Sequence, residues 1–357
     1  MRVAIAVRRL SARGGMEGNV LALARRLVAR GHAVTVVCQR ADECLLDAEV
    51  VRIPVLGALG ETAKLLSFAR GAARALAGLG ADVTFTSGHV AGPRVVRLES
   101  GLAAAYHDVL RAGGQGGGLT EWAARRVEAR KLACAERILV LSEAAGRDVL
   151  ARFGGPPERV VVAPNGVDLD RHPRATEAAR AEARRALGVE GPTVAFVGSG
   201  FWRKGLDRAL DALAHPDAPR ATLLVAGTDR SQPRYEARAR QLGLTVRWLG
   251  YQADVRPVLA AADALVLPAR FEPFGLVALE AWAAGRPAVL MAAVGAAEVS
   301  PHPALVVPEP AEPGALARAL AAAVTLHDAE RCRAAAEAHP LAASLDRVVA
   351  VMEEVAR

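Results

Sequence analysis

Residues Val194–Leu213 read VAFVGSGFWRKGLDRALDAL. The apolar, partly β-branched run at its start reads as a buried strand, Gly198-Ser199-Gly200 as a tight turn, and the remainder as a helix. Arg203 and Lys204 fall where that helix is expected to open. A strand entering a helix through glycines is the first half of a βαβ unit, which requires a parallel sheet.

The same pattern repeats outward in both directions. Toward the carboxyl end, strands are expected at Thr222–Ala226, Thr245–Leu249, Ala264–Leu267, Ala288–Leu290 and Leu305–Val307. Toward the amino end they are expected at Arg2–Val7, Ala33–Cys38, Val50–Ile53, Val83–Thr86, Arg94–Leu98, Ile138–Leu141 and Val160–Val162, with a helix over about 19–30 after the first. Helical patterns separate most of them, so the fold class is α/β with two Rossmann-like halves. The turn residues Pro164-Asn165-Gly166 end the first half. The expected domains are 1–166 and 167–340, with an amphipathic helix over about 341–357 packing back onto the first. Sheets of this kind bind ligands beyond the carboxyl ends of their strands, so the ligand is expected in a cleft between the two. The glycine run at 113–118 reads as a flexible loop, a candidate lid.

A length of 357 residues suits two domains, and a hydrophobic fraction of 52% excludes disordered, collagen-like and coiled-coil classes. The net charge is +7, but 42 of the 45 basic residues are arginines and only Lys64, Lys131 and Lys204 are lysines. That bias reads as compositional drift. With 4% aromatic residues to stack on bases, no nucleic-acid partner is expected. Cys38, Cys44, Cys134 and Cys332 show no metal or redox spacing and read as buried free thiols of a reducing compartment. No signal peptide is evident at the start, and Glu280, Arg286 and Pro287 interrupt the most apolar later stretch, so a cytoplasmic protein is expected.

Three constellations carry chemistry. Gly14-Gly15 follow the first strand and precede a helix, which turns bare amides and a helix N-terminus toward an anion. Arg203 and Lys204, at a position where helices favour acids, call for an anion to neutralise them, and a diphosphate fits. In Ala269–Ala281, ARFEPFGLVALEA, a loop carries Glu272 and a helix opens near Gly275 with amides from Gly275, Leu276 and Val277. Glu280 lies farther along that apolar helix. A carboxylate there needs a polar partner, and a ribose diol would supply two hydroxyl donors.

These segments, together with GGMEGNVLALARRLVARGHAVTVV, VLSEAAGRDVLARFG and PNGVDLDRH, resemble the retaining glycosyltransferases of family 4, which have the GT-B architecture. The resemblance covers nearly the whole chain and includes the paired glutamates Glu272 and Glu280. Within the family the chain is most similar to the branch that glucosylates lipopolysaccharide inner-core heptose. It implies a nucleotide-sugar donor whose diphosphate is held by Gly14, Gly15, Arg203, Lys204 and the Gly275–Val277 amides. Glu280 would bind the ribose, Glu272 would face the donor sugar and phosphate, and the loop with Tyr251 would frame the base, most often uracil. Many relatives carry a histidine just after the strand ending at Leu98. Here Glu99 takes that place and becomes the candidate for orienting a sugar, with His89 and His107 as acceptor-side candidates.

No D-x-D or His/Asp cluster stands in the first half, so no metal and no cofactor are expected. Arg203 and Lys204 would supply the positive charge for the leaving diphosphate. The resemblance implies a retaining hexosyl transfer, from UDP-glucose or a similar donor to a glycan or lipid-linked acceptor such as lipopolysaccharide core heptose. A nucleotide-sugar epimerase and a non-catalytic nucleotide-sugar-binding protein are the alternatives. Arg8, Arg9, Arg13, Arg111, Arg125, Arg126 and Arg130 would hold the first domain to an anionic membrane surface.

Overall fold

The computed structural model describes residues 1–11, 15–42 and 47–357. Arg13, Gly14 and Cys44 therefore lie outside the described residues. The chain forms two compact units: Met1–Pro164 together with Ala343–Arg357, and Asn165–Ala342.

Unit 1 contains β1 (Arg2–Ala6), β2 (Arg9–Leu10), α1 (Gly15–Ala29), β3 (Ala33–Cys38), β4 (Arg40–Ala41), β5 (Ala48–Arg52), α2 (Glu61–Gly78), β6 (Val83–Thr86), β7 (Val95–Arg97), α3 (Ala103–Ala112), α4 (Leu119–Cys134), β8 (Arg137–Val140), α5 (Glu143–Phe153) and β9 (Val160–Val162). Seven strands make one parallel sheet in the order β5-β3-β1-β6-β7-β8-β9, while β2 and β4 pair separately. Val3 lies opposite Val34 on one side and Val83 on the other. Val3 to Ala6 are buried, as expected of a central parallel strand covered on both faces.

Unit 2 contains α6 (Glu177–Leu187), β10 (Thr193–Val197), α7 (Phe201–Lys204), α8 (Leu206–Leu213), β11 (Thr222–Ala226), α9 (Gln232–Gln241), β12 (Val246–Gly250), α10 (Arg256–Ala261), β13 (Ala264–Leu267), α11 (Leu276–Ala283), β14 (Ala288–Met291), β15 (Val306–Val307), α12 (Pro313–Thr325) and α13 (Ala329–Glu337). Its parallel sheet runs β12-β11-β10-β13-β14-β15. In both sheets the strand order reverses beside the first strand, between β1 and β6 and between β10 and β13. Those reversals are the topological switch points where such sheets bind ligands.

The last helix, α14 (Leu341–Ala356), supplies most of its length to unit 1. Leu345, Val348, Val349, Met352 and Val355 recur at helical spacing and are buried. Asp346 accepts both forks of the Arg26 guanidinium at 2.7 and 2.8 Å.

The expected strands are all present, some with the expected ends and the rest displaced by at most two residues. Three local readings change. The first helix begins at Gly15 instead of near Asn19. The glycine run is no free lid: it joins α3 to α4, and the Gly117 amide donates to Glu121 Oε2 at 2.8 Å. Cys38 and Cys332 are buried, but Cys134, in the last turn of α4, is exposed. Among the described residues no helix is long and apolar enough to cross a membrane.

Met352 is fully buried at the end of unit 1. Met352→Ala is expected to cost about 2–5 kcal/mol, read as a lower urea midpoint; a wild-type midpoint would mean that α14 is dispensable to the unit.

Candidate functional site

The unit 2 switch point is built by the segments leaving β10 and β13. Gly200 (φ 76°) caps α7, and the Phe201 amide, first of that helix, donates to Asp229 Oδ2 at 2.8 Å. The sequence places Arg203 and Lys204 at a helix start; in the structure they end the single turn of α7 and directly precede Gly205, the cap of α8. Gly205 ends the helix in the left-handed region at φ 78° and caps α8. A Cβ on Gly205 would stand 2.0 Å from the Pro268 carbonyl oxygen, so only glycine allows this turn to close on the end of β13.

That approach brings the two cations to Glu272. Lys204 Nζ and Arg203 Nη1 both donate to Glu272 Oε2, Arg203 at 3.2 Å, and Arg203 Nη1 also donates to the Phe271 carbonyl at 3.0 Å. The anion the cations require is thus partly intramolecular, and the triad keeps one net positive charge. Burial alone would raise the Glu272 carboxyl pKa; the adjacent Lys204 and Arg203 charges outweigh it and hold the group below its ordinary range. The stem of Lys204 packs over Gly198, where a Cβ would come within 3.1 Å of Lys204 Cε. Behind the cluster Arg270, which nothing in the sequence singles out, stacks on Trp202 at 4.7 Å, forks onto Asp207 at 2.8 and 2.6 Å, and donates to the Trp202 carbonyl.

The loop after Glu272 is pinned by neighbouring backbone: Gly295 N donates to Glu272 O and Ala296 N to Phe274 O. Gly275 (φ 93°) caps α11 with no room for a side chain, since a Cβ would meet Leu267 and Val294 at 3.0 and 3.1 Å. The first-turn amides of Leu276 and Val277 therefore open toward the turn end with no upstream helical carbonyl. One turn farther on, Glu280 is three-quarters buried, and its Oε1 lies 3.8 Å from His172 Nε2. Burial raises its pKa to about 7, against the lowering effect of the Arg171 charge and with a further push from Asp254. Burial and the charges of Arg171 and Arg256 lower the His172 pKa. Glu280, His172, Asp254 and Arg256 line an open pocket of about 560 Å³ bordered by α6, α10 and α11. Arg171 and His172 belong to the PNGVDLDRH segment, yet the sequence assigns them no role, because nothing local signals a contact more than a hundred residues away. Tyr251, after β12, is exposed.

In unit 1, Gly15 is the exposed first residue of α1. The Glu99 carboxylate is engaged inside the fold: it pairs with Arg97 at 3.1 Å, both side chains at most 3% exposed, and accepts from Asn19 Nδ2 at 3.1 Å. His89 follows β6, and its pKa is lowered to about 4 by burial first, then by the Lys131 and Arg8 charges. His107, on α3, lies 3.7 Å from Glu121 Oε2 and is lowered chiefly by burial. Among the described residues no group of three or more His, Cys, Asp or Glu is arranged to hold a metal.

Two features define the class: a pair of parallel α/β units, and a cationic turn at a switch point. Residues 13–171 match the family described as Glycosyltransferase Family 4 and residues 179–339 the family described as Glycosyl transferases group 1, so the chain belongs to the GT-B glycosyltransferases. It is similar to the lipopolysaccharide glucosyltransferase WaaG of Escherichia coli, 28% identical over 79% of this chain and 78% of the relative. The crystal structure of a WaaG superposes with a TM-score of 0.80 at 25% identity, covering 98% of this chain and 99% of that one. A D-inositol 3-phosphate glycosyltransferase of Corynebacterium aurimucosum is 36% identical over 49% of this chain, and the match spans only 45% of that relative's length.

The raised Glu280 pKa has a consequence for stability. Between about pH 4.5 and 7 the folded chain holds a proton that the unfolded chain has released, so stability falls as pH rises through that window. Glu280→Gln is expected to remove this slope, making the variant the more stable protein at pH 8 by at most on the order of 3 kcal/mol. Urea denaturation at pH 5 and pH 8 tests it; parallel shifts of both proteins would refute the assignment.

Proposed function

We propose that the chain transfers a hexose from a nucleoside-diphosphate sugar, UDP-glucose or a similar donor, to a saccharide acceptor, lipopolysaccharide core heptose or another cell-envelope glycan, with retention at the anomeric carbon. The observation that carries this reading is the cluster of Lys204, Arg203 and Glu272 at the unit 2 switch point, with its net positive charge beside the open amides of α11. The similarity to a lipopolysaccharide glucosyltransferase along four-fifths of the chain supports the acceptor class.

In this reading the departing diphosphate draws the ammonium of Lys204 and the guanidinium of Arg203, while the Gly275, Leu276 and Val277 amides take further phosphate oxygens. Glu272 draws the two cations together on one oxygen and holds them in place before the donor arrives, so little reorganisation is needed during reaction. Glu280 accepts from the ribose hydroxyls, and Tyr251 stands at the base. The bond from the anomeric carbon to phosphate oxygen breaks as the acceptor oxygen bonds on the same face, and the acceptor proton passes to the leaving phosphate. Fixed protein cations take the charge that a divalent metal takes in other transferases, so no metal or other cofactor is required. In unit 1, Glu99, buried against Arg97, would act by setting the backbone and neighbours that meet a sugar.

Lys204→Ala and Arg203→Ala are each expected to lower kcat by roughly 10²-fold or more. Glu280→Ala is expected to raise the Kd for UDP while leaving the fold intact. Steady-state rates and calorimetry read these outcomes; undiminished turnover in both cation variants, or activity lost with EDTA and restored by magnesium, would overturn the assignment.

A peripheral place at the inner face of a membrane goes with a lipid-linked acceptor. Arg9, Arg111 and Arg125 are paired with carboxylates of unit 1. Arg126 and Arg130 lie on α4 beside the exposed Leu119 and Trp122, with Arg126 stacked over the indole at 5.8 Å. Trp122→Glu together with Arg126→Glu should abolish co-sedimentation with anionic vesicles; equal pelleting of variant and parent would remove the membrane role.

A further inference from the structure

Lys131 is the anomaly of unit 1. It is 3% exposed on α4, and it is one of three lysines in a chain that otherwise uses arginine. Its ammonium donates to the Gly88 carbonyl at 3.3 Å, which meets one of its three hydrogens. Burial lowers the Lys131 pKa; Glu128, one turn back and fully buried, opposes that shift, while its two oxygens accept from the amides of Ala103 and Ala104 at 2.7 and 2.9 Å. Beside the Gly88 tether, Ser87 Oγ and His89 Nδ1 are buried with no hydrogen-bond partner among the described residues. Burying a charge and two polar groups so incompletely satisfied is costly unless something else completes them.

Their position says what kind of group that is. Ser87, Gly88 and His89 leave the carboxyl end of β6, next to β1, at the unit 1 switch point. Space stands open over Gly88, where a Cβ would touch only Thr86 Oγ1 at 3.6 Å. His89 is half-buried and Arg8, at the end of β1, is exposed. Burial and the neighbouring cations keep the imidazole neutral near pH 7, so it hydrogen-bonds without adding charge.

We propose that Lys131, Ser87 and His89 form a subsite in unit 1 for an anionic oxygen group, phosphate or carboxylate, carried by the acceptor saccharide. This rests on the reading of unit 1 as the acceptor unit. Lys131 supplies the charge, while Ser87 and His89 supply directional donors.

The test is calorimetric, on the full chain with UDP saturating, so that a titrated anion does not report on the donor site. Inorganic phosphate and acetate are titrated into the parent protein and Lys131→Met. The parent should bind at least one of them, and Lys131→Met should bind it roughly ten-fold or more weakly, with unchanged UDP affinity and a Tm no lower than the parent's. Preference for phosphate would indicate a phosphorylated acceptor, and preference for acetate an acidic sugar. Equal anion affinity in both proteins, or a lowered Tm with no change in anion binding, would overturn the proposal and leave Lys131 as a tether for Gly88. Should Lys131→Met not fold, Ser87→Ala must weaken the same binding for the proposal to stand. Failure of UDP itself to bind would instead overturn the donor reading, and the anion titration without UDP would still show whether Lys131 matters.

Discussion

Two cations converging on one carboxylate oxygen is the arrangement around which unit 2 is organised. Lys204 and Arg203 come from the turn after β10, and Glu272 from the loop after β13. The two segments can meet only because β10 and β13 are neighbours at the reversal of strand order, and because Gly205 lets one backbone approach the other. The ion cluster is thus a product of topology and a missing Cβ together. Its net charge makes it a place where an anion is welcome and a cation is not.

The supporting residues show how the site stays ordered with its charges so close. Arg270 ties the Trp202 carbonyl and Asp207 to the base of the Glu272 loop, and its backbone amide reaches the Arg203 carbonyl. Each group that touches the cluster is held in turn by a second contact. Glu280 differs: it sits near His172, and burial holds its proton to unusually high pH. One carboxylate is prepaired and the other is left poised for hydroxyl donors.

Much of this is legible in the chain. Apolar runs at strand length, separated by helical patterns, specify parallel sheets, and the glycine turns mark where the backbone must pass closely. Glu280 stands out because carboxylates are rare on apolar helices, and Glu272 through the resemblance that pairs it with Glu280. The features that escape have no local signature. The pairing of Lys204 with Glu272 depends on which strands are neighbours, and the contact of His172 with Glu280 joins segments far apart in sequence. The burial of Lys131 is hidden because α4 buries three charged residues, Glu121, Glu128 and Lys131, so its inward face does not look apolar. Glu99 reads in the sequence as a candidate for orienting a sugar, and nothing local shows that Arg97, two residues before it on the same strand end, shares its burial.

The return of α14 to unit 1 bears on how the chain comes into being. During synthesis every strand of the first sheet emerges before any of the second, yet Val348, Val349 and Met352, which cover that sheet's unit, are made only after the whole of unit 2. Unit 2 is contiguous, whereas unit 1 lacks a wall until residues 343–357 are made. The nascent first half must therefore wait, apolar surface uncovered, for the whole of the second to be translated. That interval is when aggregation competes with folding, and chaperones would find their substrate there.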